Sequence, residues 1–295
     1  LILILIGLWI KMAFFPLHGW LPNAYAYSPT ATSTLMGPLV TKVMIYIMIR
    51  MMLSLFGAEY VFDHLQWTNI VVGLSVIAIV AGSLFALSRS DLRKMLTYLI
   101  VAEVGYMVGG AWLANSMGMT GAIYHILSDA MMTFTLFMVI GIIITRTGKT
   151  ELTAFQGLFR KMPITVTGFT IAALSMIGLP PTCGFFSKYY LVRGGIEAGQ
   201  WAYVGALLLS SLINAVIFFR LIEMAYFHGG KAYGEEITDK DHEHHRSRGK
   251  DLDAEPNETL EKVPWSMLAP MLMAAASLLV IGIFNRPIAG WINAA

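Results

Sequence analysis

The chain has 295 residues, a formal net charge of +2, 57% hydrophobic and 13% charged residues, and a mean hydropathy of +0.66. Soluble domains carry about 25% charged residues, so the composition excludes an ordinary soluble enzyme and predicts an all-α polytopic membrane protein. The lone Cys183 excludes an intrachain disulfide and a cysteine metal cluster, and nothing in the chain reads as a nucleic-acid footprint.

Eight membrane segments are predicted from apolar runs near the roughly 20 residues that cross a hydrocarbon core. They lie at about 1–15, 31–56, 69–88, 95–114, 118–145, 164–193, 201–227 and 265–285. The first opens on Leu1-Ile2-Leu3-Ile4-Leu5-Ile6, which reads as the middle of a membrane helix, with neither a basic n-region nor a small-residue cleavage site. A preceding part is therefore expected to be missing, processed away or encoded separately. A loop follows Pro16, with Trp20, Tyr25 and Tyr27 suited to the membrane interface.

The fifth segment, Gly118 to Arg146, is the one around which the rest is organised. His125, Asp129 and Thr133 recur at i, i+4 and i+8, on one helix face. A carboxylate at mid-membrane costs on the order of 2.5–3.5 kcal/mol on insertion scales, so Asp129 reads first as part of an ion or proton path. The bland alternative is a carboxylate that pairs with a neighbouring helix. Glu103, in LTYLIVAEVGYMVGG, either pairs with a buried lysine or joins Asp129 as a cation site.

Lys11, Lys42 and Lys188 fall within apolar segments. Each by itself fits a snorkelling lysine, but three beside Glu103, His125 and Asp129 suit a proton relay, since burial brings lysines and carboxylates toward neutral pH. The sixth segment carries Gly178-Leu179-Pro180-Pro181, where two residues without N–H groups predict a break, with Lys188 beyond it. Such a break inside a membrane needs protein or a watery cavity around it, and so points to a translocation path. Arg220 and Glu223, three apart, read as a structural ion pair.

Basic loop residues set the orientation. Arg89, Arg93, Lys94, Arg146, Lys149, Arg160 and Lys161, with six more in residues 229–263, fall on one side, against Arg50, Arg193 and Arg286 on the other. The positive-inside rule makes the first side cytoplasmic. Residues 229–263 hold ten acidic and six basic residues, and predict a solvated cytoplasmic linker. Within it His242, His244 and His245 read as part of that linker before they read as a metal tract.

The runs KMAFFPLHGWLPNAYAYSPT, TKVMIYIMIR, SDLRKMLTYLIVAEVGYM, YHILSDAMMTFTLF and GLPPTCGFFSKYYL resemble the antiporter-like proton-translocating membrane subunits. That family includes the large antiporter-like subunits of respiratory complex I and membrane-bound hydrogenases, and the A and D subunits of Mrp-type cation/proton antiporters. The likeness covers most of residues 1–227, and the lysine before Pro-Leu-His-x-Trp-Leu-Pro, followed by TKVxxY, most resembles the Mrp D-type branch.

The resemblance implies two inverted five-helix repeats within about fourteen helices. The chain would then hold the end of the first repeat (1–57), the second repeat (58–228), the linker (229–263) and a last helix (264–295). By motif match Lys11 takes the place of the lysine that pairs with the family's glutamate, and Lys42 that of the bridging lysine. His125 takes the place of the first histidine of a broken eleventh helix, and Lys188 that of the terminal lysine. The chain departs from the family where Asp129 replaces a histidine, Thr133 a lysine, and Glu103 a neutral residue or histidine. An acid-based relay, a cation site and loss of conduction all follow as readings of these changes.

The function expected first is that of a D-like member of a multisubunit sodium or potassium/proton antiporter in a bacterial or archaeal inner membrane. The alternative is a proton-pumping module of a complex I-type or hydrogenase-type redox complex, and a third reading is a non-conducting scaffold. The proton or ion path is expected to comprise Lys11, Lys42, Glu103, His125, Asp129, Thr133 and Lys188. No cofactor or metal is expected. The partners expected are other subunits of the complex, protons, sodium or potassium, and lipid.

Overall fold

The computed structural model describes residues 2–64, 67–227 and 263–294. Helix α1 (Ile2–Lys11) is followed by α2 (Trp20–Tyr27) and α3 (Thr30–Arg50), which runs on through a π-turn at Met51–Phe56. Then come α4 (Thr68–Leu87), α5 (Leu92–Ala111) and α6 (Ser116–Thr147), the one-turn α7 (Leu158–Lys161), and α8 (Pro163–Ile177). The order closes with α9 (Cys183–Glu197), α10 (Trp201–Tyr226), α11 (Trp265–Ile283) and α12 (Asn285–Ala294). Five stretches, Thr30–Phe56, Thr68–Leu87, Ser116–Thr147, Trp201–Tyr226 and Trp265–Ile283, are long and apolar enough to cross a membrane.

Each of the eight predicted segments is helical, and the departures have local causes. The sixth segment is two helices. Gly178 ends α8 at φ 94°, a left-handed turn that glycine adopts without a Cβ penalty, and α9 begins after Thr182. By contrast α6, which matches the family's broken eleventh helix, is continuous over 32 residues. It contains no proline, so nothing interrupts its hydrogen-bond ladder.

The first segment stops being helical at Lys11, and the expected loop beyond it contains α2. The Trp20 indole N–H donates at 2.8 Å to the Ile10 carbonyl at the end of α1, which also accepts the Ala13 N–H. Trp20 and Tyr27 are exposed, as interfacial aromatics should be, but Tyr25 is buried beside Phe137 with its hydroxyl on the Met36 carbonyl. Arg220 and Glu223 are both exposed and form no ion pair among the described residues. Solvation leaves little reason for such a pair to close. The linker with His242, His244 and His245 lies outside the described residues, apart from Val263.

Helix α6 packs against α3, α5, α8, α9, α11 and α12, and α5 packs against α2, α3, α4, α6 and α9. Almost every α5 residue from Met95 to Ala111 is buried, although Arg93, Lys94 and Glu103 keep this helix from looking like a simple span. Close packing at the broken pair rests on Gly184, where any side chain would run into the Ser175 carbonyl of α8.

The two ends of the bundle are chemically distinct. At one end Arg93 donates to the carbonyls of Ala26 and Ser28, the α4–α5 turn pairs with the segment after α6 through Leu92 N–H to Thr150 O, and Gly157 N–H meets Met224 O. This end gathers Arg89, Arg93, Lys94, Arg146, Lys149, Arg160 and Lys161 in the connections it joins. At the other end Asn115 caps α6 by accepting from Gly118 N–H at 2.7 Å, and its amide donates to Gly194 O at 2.8 Å. Asn293 of α12 is bound there by the hydroxyls of Ser116 and Thr120.

Candidate functional site

Four helices bring six of the seven sequence-predicted residues into the buried interior: Lys42 from α3, Glu103 from α5, His125, Asp129 and Thr133 from α6, and Lys188 from α9. Glu103, His125 and Asp129 have no solvent-accessible surface. A carboxylate or imidazole in such a place needs partners, because an unpaired charge there is costly. The partners fall into three groups.

The first joins α3 to α6. Lys42 Nζ lies 2.9 Å from Asp129 Oδ2, and it donates to the Thr133 hydroxyl at 3.5 Å. Thr133, one helical turn beyond Asp129, donates to Asp129 Oδ1 at 2.6 Å. Oδ2 is held by charge rather than by an aligned hydrogen bond. This threonine stands where the family resemblance leads one to expect a lysine. A lysine there would place a second ammonium against Lys42; the hydroxyl instead completes the carboxylate's shell. A metal cation at these oxygens would have to share them with the Lys42 ammonium, a repulsive contact.

The second group joins α5, α6 and α9. His125 Nε2 sits 2.5 Å from Glu103 Oε2, and His125 Nδ1 lies 2.8 Å from the Ser187 hydroxyl oxygen. Glu103 therefore pairs with the histidine, neither with a lysine nor with Asp129 as the sequence had suggested. Its second oxygen, Oε1, is buried and without a hydrogen-bond partner.

The third group sits at the break between α8 and α9. Lys188 Nζ donates to Met176 O at 2.7 Å, to Ile177 O at 3.3 Å and to the Ser211 hydroxyl at 3.1 Å. Met176 and Ile177 are the last residues of α8, so the ammonium takes up carbonyls that the truncated helix leaves open and sits at its negative dipole end. The proline break and the buried lysine thus explain each other. The Tyr106 ring stands between the second and third groups, 5.4 Å from the His125 ring and 5.3 Å from Lys188 Nζ, measured to its centroid. Its hydroxyl donates to Ser210, which contacts Ser83, whose hydroxyl ends on the Ile79 carbonyl.

Lys11 stands apart. It is exposed at the end of α1 and has no ion-pair partner among the described residues. Sequence reasoning missed Tyr106, Ser187, Ser210 and Ser211. Tyr106 was legible as the i+3 neighbour of Glu103 on one helix face, and Ser187 as a hydroxyl beside Lys188. The serines of α10 carry no signal of their own, because hydroxyls in membrane helices mostly bond their own backbone.

His125 and Asp129 lie one turn apart on α6, so the first two groups are adjacent acid–base pairs. Lys188 is a third ionisable group across one aromatic ring.

A family model described as "NADH:quinone oxidoreductase/Mrp antiporter, TM" matches residues 1–214. Among curated proteins, the chain is 40% identical over 288 residues to the N subunit of the NADH-quinone oxidoreductase of Desulforudis audaxviator, covering 98% of this chain and 55% of that protein. It is 30% identical over 248 residues to the D subunit of the Na(+)/H(+) antiporter of Bacillus subtilis, covering 84% of this chain and 48% of that protein. The chain thus spans about half the length of the curated relatives it matches. Its fold superimposes on a chain of the Mrp complex from Dietzia sp. DQ12-45-1b with a TM-score of 0.82 at 24% identity, over 98% of this chain and 57% of that one. A chain of respiratory complex I from Thermus thermophilus gives a TM-score of 0.72 at 24% identity, over 97% and 57% of the two chains.

Proposed function

We propose, because this chain belongs to the NADH:quinone oxidoreductase/Mrp antiporter membrane family, that it is an antiporter-like subunit that moves protons through its buried polar groups within a multisubunit membrane complex. The observation that carries this reading is the pair of buried acid–base contacts, Lys42–Asp129 and Glu103–His125, one helical turn apart on α6. Intramembrane ionisable groups arranged in this way are costly as structure alone. A proton arriving at either pair changes its charge, and that change alters the proton affinity of the neighbouring pair and of Lys188 through a low-dielectric interior. Lys11 belongs to the same path only if another part of the assembly covers it. The division into the end of one repeat (1–57) and a second repeat (58–228) is part of this proposal.

Two settings remain for the protein. A redox-driven complex is the better supported, since the 40% identity to the N-type relative extends over nearly the whole chain while the D-type match is 30% over 84%. The D-like cation/proton antiporter is supported by that D-type match. In either setting the end with the basic connections faces the cytoplasm of a bacterial or archaeal inner membrane.

The test is proton translocation by inverted membrane vesicles that contain the full-length protein in its complex, driven first by a reductant and then by a sodium or potassium gradient. Translocation driven by the reductant alone assigns the redox setting, and translocation driven by the cation gradient assigns the antiporter. A fully assembled His125→Gln complex that translocates protons at the unaltered rate overturns the proposal and leaves the scaffold reading.

A further inference from the structure

His125 is held at both ring nitrogens, and the two partners differ in kind. Glu103 at Nε2 is a carboxylate, which as an anion can only accept. Ser187 at Nδ1 is a hydroxyl, which has one proton to give and lone pairs to receive. The same hydroxyl also reaches the Gly184 carbonyl, three residues back on α9, at 3.0 Å. One proton cannot serve Nδ1 and Gly184 O together, so the Ser187 hydroxyl has two positions, and the charge of His125 selects between them.

We infer that Ser187 is a hydroxyl rotor that lets the buried His125 gain and lose charge without any buried nitrogen losing its partner. When His125 is the imidazolium, Nε2–H donates to Glu103 and Nδ1–H donates to the Ser187 oxygen, whose own proton turns to Gly184 O. When His125 is neutral with its proton on Nε2, Ser187 turns that same proton onto the bare Nδ1. The imidazole gains or loses one proton between the two states; Ser187 keeps its own throughout. Gly184 O tolerates both positions, because a carbonyl has a second lone pair for the α-helical N–H of Lys188.

The scaffold of the rotor is rigid. Gly184 is fixed by its close approach to the Ser175 carbonyl, and Ser187 and His125 are fully buried. The charged or titratable groups facing the imidazole are Glu103 and Tyr106 from α5, Asp129 one turn along α6, where Lys42 of α3 meets it, and Lys188 from α9 behind the Tyr106 ring. Helices α8 and α11 contribute none. Ser187 is thus a positioning residue that acts through His125. This inference rests on the proposed proton path for its consequence but not for its geometry.

The test uses the full-length protein in its complex, with labelled histidine, and compares wild type, Ser187→Ala and Ser187→Cys, with His125→Gln to assign the resonance. Nitrogen NMR across a pH series reads the hydrogen bond at Nδ1 directly, and vesicle translocation reads the consequence. With Ser187→Ala the Nδ1 resonance is expected to lose its hydrogen-bonded shift in both charge states. Translocation should fall about tenfold or more, the equivalent of one hydrogen bond to a charged group, with assembly retained because only one oxygen is removed. Ser187→Cys, with a weaker donor and acceptor, should fall between. An Nδ1 resonance that ignores Ser187→Ala overturns the rotor. A resonance that responds while the translocation rate stays unaltered overturns its role in the path. Full translocation by His125→Gln would instead remove the proposed function, an outcome separate from either of these.

Discussion

Asp129→Asn keeps the shape of the side chain and removes its charge, which leaves the Lys42 ammonium buried without a counter-ion. At the observed 2.9 Å and an effective dielectric constant of about 20, the Coulomb attraction lost is about 6 kcal/mol. Most of that attraction offsets the desolvation of the two charges, and removing one partner of a buried pair costs about 3–5 kcal/mol in practice. Lys42→Met leaves the complementary defect, softened because Thr133 still donates to Asp129 at 2.6 Å. The double substitution leaves no bare charge, so the two stability losses should be far from additive, with a coupling of about 2–3 kcal/mol. Thermal unfolding of the single and double variants in lipid nanodiscs measures that coupling. Vesicle translocation measured on the same preparations separates structure from function: the double variant should recover stability and remain defective in transport. Additive losses would refute the buried-pair argument, and a double variant that recovers both stability and transport would show that the pair is structural only.

Lys188→Met should abolish translocation and lower stability by about 1–3 kcal/mol, since the Ile177 carbonyl at the end of α8 loses the ammonium and the Met176 carbonyl is left with only the Asn214 amide at 3.4 Å; unaltered transport by an assembled variant would contradict this. Gly184→Ala drives a methyl group into the Ser175 carbonyl and should cost about 1–3 kcal/mol through forced separation of α8 and α9, visible as a lower melting temperature. Asn115→Ala removes both the cap of α6 and the bond to Gly194, so a loss of about 1–2 kcal/mol is expected in the same assay, without a change in the pH dependence of transport.

Much of this protein was legible in the sequence because membrane burial is written in composition and helix breaks are written in residue type. Apolar runs of the right length located the long helices, though not α2 or α12, since lipid offers the backbone no other partner. Pro180 and Pro181 located the break, because neither can donate an N–H. The spacing of His125, Asp129 and Thr133 put them on one face of α6 by helical period alone. What the sequence left open was partnership across helices. Lys42 and Asp129 are 87 residues apart, and only the packing of α3 on α6 makes them a pair. Glu103 had the lysines of the apolar segments and Asp129 as candidate partners and took His125, because α5 and α6 pack in a register that brings those two faces together. Periodicity fixes where a side chain points from its own helix. Which side chain it meets depends on how neighbouring helices are rotated and shifted against one another, and that is set by many small packing contacts, such as Gly184 on Ser175, that no single stretch of sequence displays.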